Sequence, residues 1–148
     1  MMERILVSMV GVQGEWDALS RALLLAKRMN ARVFVLVFEI APEMAELAVR
    51  PAAFGNPVWE RLQLMIEKGR ADGVPVGFFV AVGDHETEMV RFIKQHKITL
   101  LVAERCPKGS ERRGWPLELL YRIRRRTSCR IELIQPRRED RTQQGRDN

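Results

Sequence analysis

Five short apolar runs, each separated from the next by a helix-length segment, restrict this chain to very few folds. Ile5 to Val10, Val33 to Phe38, Val76 to Val82, Ile98 to Ala103 and Ile131 to Ile134 are strand-sized and rich in β formers. Nearly continuous rather than alternating apolar character belongs to strands covered on both faces, as in a parallel sheet. The segments between them carry a different period. From Glu15 to Met29, the residues Trp16, Leu19, Ala22, Leu23, Ala26 and Met29 recur at three and four, which lines one helix face. Glu15 and Asp17 fall in its first turn and Lys27 and Arg28 in its last, matching the macrodipole at both ends, and Asn30 suits a left-handed cap.

The same reading predicts a second helix over 58–72, with Val58, Leu62, Met65, Ile66 and Gly69 on one face. Gly73 ends it and Pro75 stops it. A third helix follows Gly83-Asp84 and packs through Met89, Val90, Ile93 and Phe92. A fourth covers about 116–126 and packs through Leu117, Leu120 and Ile123. The connection from Glu39 to Pro57 is longer, with a short helix expected around 43–49. The order β-α-β-α-β-α-β-α-β predicts an α/β fold. It is a single-domain, doubly wound, parallel five-stranded sheet with helices on both faces. Ligands of such sheets sit beyond the C-terminal strand ends, at the point where strand order reverses. That rim would take in Val10 to Gln13, Phe38 and Glu39, Gly83 to His85, and 104–114.

At 148 residues, with 46% apolar and 30% charged side chains, the chain has the size and composition of one globular domain. No apolar run approaches the ~20 residues that span a bilayer, and Met1 to Arg4 run into the first strand without a signal-peptide pattern. Cys106 and Cys129 form neither a disulfide framework nor a metal spacing, so reduced thiols and a cytoplasmic location are expected. The net charge of +6 is unevenly placed. Residues 1–103 hold twelve basic and twelve acidic side chains, whereas 104–148 hold thirteen and seven. A solvated helix and a charged tail account for such an excess.

Five features together resemble the universal stress protein family, over residues 3 to 136. They are Ile5-Leu6-Val7 with Gly11 after the strand; the helix ending Leu25-Ala26-Lys27-Arg28-Met29-Asn30-Ala31; Ala71-Asp72-Gly73-Val74-Pro75-Val76; Gly83-Asp84 leading a helix, with Ile98 to Val102 as fourth strand; and Ser128-Cys129-Arg130-Ile131-Glu132-Leu133-Ile134. The resemblance implies an adenine nucleotide alpha hydrolase-like arrangement. It also implies a homodimer paired through the last strand, here Ile131, Leu133 and Ile134. Residues 137–148 are left as a charged tail expected to be disordered.

Nucleotide-binding members of that family carry a strand-end Asp and a loop of pattern G-x2-G-x9-G-[ST]. Its glycines bring backbone N–H groups to phosphates, and its hydroxyl and helix start complete the cradle. Aligned without a gap, the pattern falls on Glu104, Pro107, Leu117 and Glu118, and Val10 stands where the Asp belongs. Pro107 has no N–H to offer. Two carboxylates near a phosphate cost on the order of 1–4 kcal/mol at about 4 Å. The resemblance therefore implies a non-enzymatic regulatory or binding domain without a cofactor, one that does not hold ATP in the family's usual mode. The alternative is ATP or AMP on a rebuilt rim. Val10, Gly11 and Phe38 would line it, with Lys108, Gly109, Ser110 and Gly114 of the basic loop, although Lys-Gly-Ser lacks the glycine spacing of a Walker sequence.

Asp84-His85-Glu86 sets an imidazole between carboxylates, but no nucleophile or ligand cluster accompanies it. Asp84 reads as an N-cap and Glu86 and Glu88 as first-turn acids, while His96 complements the helix end. No catalytic or metal-binding residue is predicted. Arg122, Arg125 and Arg126 share a helix face that would suit an acidic protein, an anionic lipid surface or nucleic acid. Against nucleic acid, the basic residues lack interleaved aromatics and any recognition motif. Trp59 and Trp115 read as core or interface.

Overall fold

A computed structural model of the chain describes residues 3–9, 15–39, 56–105 and 115–134. The strands are β1 (Arg4–Met9), β2 (Arg32–Glu39), β3 (Val76–Val82), β4 (Leu100–Glu104) and β5 (Arg130–Ile134). The helices are α1 (Trp16–Met29), α2 (Asn56–Ala71), α3 (His85–His96) and α4 (Leu117–Thr127). All four strand pairings are parallel, in the order β3-β2-β1-β4-β5, so the chain winds outward from β1 in one direction and then in the other. The expected doubly wound sheet is present. The expected short helix around 43–49 lies outside the described residues.

The two-residue period of the strands divides the core cleanly. Ile5, Val7 and Met9, with Val33, Val35, Val37, Leu100 and Val102, face Ala18, Leu19, Ala22 and Ala26 of α1 and Leu62 and Ile66 of α2. Leu6, Phe34, Leu36, Phe38, Leu101 and Ala103 turn the other way. They meet Met89, Val90, Phe92 and Ile93 of α3 and Leu119, Leu120 and Ile123 of α4. Each strand of the sheet centre therefore needs apolar side chains at every position, which is why the sequence shows runs and not alternation.

Local signals set the helix ends. Asn30, Lys97 and Ser128 adopt left-handed φ of 57°, 54° and 63° as C-caps of α1, α3 and α4. Gly73, at φ 92°, closes the turn after α2. The Asp84 side chain accepts from the Thr87 backbone N–H at 2.9 Å, the predicted cap of α3. His96 stands in the last turn of α3, where the sequence put it. Its ring stacks on Phe92 at 4.1 Å between centroids and approaches Phe34 and Phe79, so it packs as an aromatic at the helix end. Cys129 carries a free thiol, and burial pushes it up to about 11.

β3 and β5 are the sheet edges. On β3, the Arg70 guanidinium donates through Nε (3.1 Å) and Nη2 (2.6 Å) to the Val76 carbonyl, closing one end of that edge. Leu101 is fully buried at the middle of β4, whereas Leu64 on α2 is 67% exposed. Leu101→Ala is expected to lower the unfolding free energy by about 2–5 kcal/mol in urea titrations. Leu64→Ala should stay within about 0.5 kcal/mol of the parent.

Candidate functional site

Strand order reverses at β1, between its neighbours β2 and β4, so the C-terminal ends of β1 and β4 meet the start of α1 there. The first turn of a helix leaves N–H groups without intrahelical partners, and such a terminus favours negative charge. In α1 the N-cap residue Glu15 makes no side-chain capping bond. Glu104 supplies the partner instead: its Oε2 accepts from the Ala18 backbone N–H at 3.0 Å, and the residue is 2% exposed. Period two decides this geometry, because Leu100, Val102 and Glu104 alternate onto the α1 side of β4. Glu15, at the same helix start, is also fully buried.

On the other face of the sheet, Trp115 is 1% exposed and covers the end of β1. Its indole Nε1 donates to the Ser8 carbonyl at 3.1 Å, and its backbone N–H donates to the Glu104 carbonyl at 2.8 Å. An isolated parallel bridge between Arg105 and Trp115 brings the chain back beside β4. Phe38 meets the Trp115 ring edge-on at 5.8 Å, and His85 lies against both, at 4.6 Å from Phe38 and 5.2 Å from Trp115. The Ser8 hydroxyl, buried beneath this cluster, has no hydrogen-bond partner among the described residues.

Titration follows from these contacts. The bonds from Thr87, backbone first and then hydroxyl, hold Asp84 below the usual carboxylate range. Glu86 is lowered chiefly by the Arg122 guanidinium, with Arg126 assisting, at 2.9 and 3.1 Å. Desolvation by its aromatic neighbours lowers His85, and Asp84 opposes that shift without reversing it.

The structure thus disperses the Asp84-His85-Glu86 triplet. Asp84 caps a helix, His85 packs on rings, and Glu86 clamps α4 to α3. Of the basic face, Arg122 and Arg126 are committed to Glu86, and Arg125 is exposed. Phe38 stands at the rim as expected. Val10, Gly11, Pro107, Lys108, Gly109, Ser110 and Gly114 lie outside the described residues. Ser8 and the Ala18 N–H were not singled out from sequence; the one signal was a lone serine inside an apolar strand. Among the described residues no three His, Cys, Asp or Glu side chains gather as a metal site, and no helix is long and apolar enough to cross a membrane.

No family model and no curated protein matches the chain in sequence. Solved structures match it in fold. Universal stress protein UspA from Lactobacillus plantarum is 18% identical, with a TM-score of 0.64 over 90% of this chain and 97% of that one. The fold is that of the universal stress proteins. A universal stress protein in complex with cAMP is 15% identical, with a TM-score of 0.63 over 92% and 98% of the two chains. A family protein from Arabidopsis thaliana with AMP bound is also 15% identical, with a TM-score of 0.60 over 95% of each. Within the universal stress protein fold, this chain sets Glu104 at the start of α1 and Trp115 over β1.

Two outcomes follow. Glu104→Ala leaves the buried Ala18 N–H without its acceptor and should cost about 1–3 kcal/mol of stability, whereas Glu104→Gln, which keeps an acceptor, should recover most of it. Because the folded-state pKa of His85 lies below its ordinary 6.5, its contribution to stability is fully present above pH 6.5 and is lost as pH falls through the folded value. NMR titration should place the His85 ring below 6.5, and His85→Gln should flatten that part of the pH–stability profile.

Proposed function

We propose that this chain is a non-enzymatic regulatory or binding domain that has given up nucleotide binding in the mode implied by the glycine-loop pattern. The carrying observation is the Glu104 side chain on the Ala18 N–H. A phosphate at a helix start needs free N–H donors and an unopposed positive terminus. Here the pattern's first glycine position is held by Glu104, whose buried carboxylate lies at the start of α1, so an acidic side chain stands where a glycine backbone would approach phosphate. Trp115 adds bulk over the end of β1, where an open α/β sheet seats its ligand. These residues do not fit a phosphate-bearing ligand.

The reading includes a cytoplasmic homodimer. In support, β5 is an edge strand, and Ile131, Leu133 and Ile134 are half-buried or exposed along it. An uncovered edge is a standing invitation to pair. The alternative, an ATP or AMP site rebuilt on Lys108 to Gly114, draws support from solved structures of the same fold that carry cAMP, AMP or dAMP.

Mass spectrometry of nucleotide released from the denatured protein, followed by titration calorimetry with ATP, AMP and cAMP, decides between them. The expected result is no co-purified nucleotide and no binding tighter than about 1 mM, an affinity worth about 4 kcal/mol. Micromolar ATP affinity that Lys108→Ala abolishes would overturn the proposal.

A further inference from the structure

The end of the domain opposite the rim is formed by the strand starts, the helix C-termini and four short connections of two to four residues. Cross-strand register sets Val76, Val33, Ile5, Leu100 and Arg130 in one row, so the five strands begin level within about one residue. Four strand spacings make that row about 19 Å wide. With nothing longer than a four-residue turn between elements, the end is flat.

It is also strongly basic. The last helical turns contribute Lys27, Arg28, Lys68, Arg70, Lys94, Arg124 and Arg125, Arg126 being turned to Glu86. Lys97 caps α3, and Arg4, Arg32 and Arg130 open three strands. All but Arg4 are exposed. These eleven are more than two fifths of the 25 Lys and Arg residues, and among the described residues the only acids that share the end are Glu3 and Asp72. Glu3 is engaged by Arg130 at 2.9 Å and by the Thr99 hydroxyl at 2.6 Å. Dipole complementarity accounts for cations in last turns. It also covers Arg4, whose Nη1 donates to the His96 carbonyl at the end of α3 at 3.2 Å, but not Arg32, which stands directly across from Arg4, an arrangement of like charges that destabilises a sheet. A cavity of about 520 Å³ opens on this end, lined by Arg32 and Arg70 together with Phe34, Val74, Val76 and Phe79.

We propose that this end is a docking face for an anionic lipid bilayer, with the Arg32–Arg70 cavity taking the phosphate and upper glycerol region of one lipid. A level field of cations matches a plane of headgroups, and each Lys or Arg near such a surface adds to the attraction. Guanidinium groups bind phosphate through paired N–H donors, and the apolar lining suits the carbon part of the lipid. Duplex nucleic acid fits less well, because its grooves are read by a projecting helix or ribbon, and no such element stands on this face.

The test is co-sedimentation of the full chain with phosphatidylcholine vesicles containing about 30% phosphatidylglycerol, against vesicles of phosphatidylcholine alone, at about 0.1 M NaCl. Binding is expected only to the anionic vesicles and should weaken steeply with salt. The double reversal Arg32→Glu with Lys97→Glu should reduce partitioning at least about tenfold. Arg91→Glu with Arg105→Glu, an equal charge change away from this face, should reduce it less than about threefold. Circular dichroism of each variant checks that it is folded. Equal loss in both double variants, no anionic-vesicle binding, or binding to a DNA duplex without binding to vesicles would overturn the proposal. Nucleotide affinity at the rim does not enter any of these outcomes.

Discussion

The bond from the Ala18 N–H to the Glu104 carboxyl ties the end of β4 to the beginning of α1, two segments 86 residues apart in sequence. Its existence depends on strand parity. A shift of one residue in β4 would turn Glu104 to the α3–α4 side, bury it near Phe38 and Trp115, and leave the α1 start without this acceptor. The register of β4 against β1 and β5 therefore fixes the chemistry of the rim as well as the packing of the core. Because α1 has no side-chain cap of its own, this distant acid is part of what lets the helix begin where it does.

That dependence explains which parts of the molecule were legible in the sequence. The strands declare themselves because each must be apolar on both faces. The helices do so because each has a three–four period, and Asn30, Gly73 and Asp84 mark ends through their backbone or side-chain chemistry. Glu104 was legible as an acid in the place of a glycine. Its actual partner was not, since the identity of the N–H it meets depends on how α1 crosses β1 and β4. The Trp115 indole and the Ser8 carbonyl are separated by 107 residues and meet only after both crossovers have been made. His96 was legible as a last-turn residue that suits the macrodipole, but not the three phenylalanine rings within 5.4 Å of it, which come from β2, β3 and α3.

Charge tells the same story on a larger scale. Along the sequence the basic excess belongs to residues 104–148. In space it belongs to one end of the domain, and most of the cations there come from the balanced first 103 residues. Every helix of a parallel, doubly wound sheet runs opposite to the strands, so all helix ends of one sense gather together. A dipole-matching bias repeated at each helix then adds up to a polarity of the whole domain: acids such as Asp17, Glu86, Glu88 and Glu118 toward the rim, cations toward the strand starts.

This polarity bears directly on what the rim can hold. A helix N-terminus, that of α1 included, carries positive partial charge, whereas strand ends contribute only small dipoles. Here Glu104 and Glu15 are buried at that terminus, first-turn acids of α3 and α4 flank it, and the exposed cations of the helix ends lie a full strand length away. Among the described residues, the exposed cations are therefore concentrated at the end opposite the sheet reversal. Charge of one sign concentrated on a level surface favours partners that are themselves extended and anionic, since their many weak contacts add while a single small anion gains only one or two. In this chain the described cations of the helix ends gather on the face opposite the sheet reversal, which is where a partner of that kind would meet them.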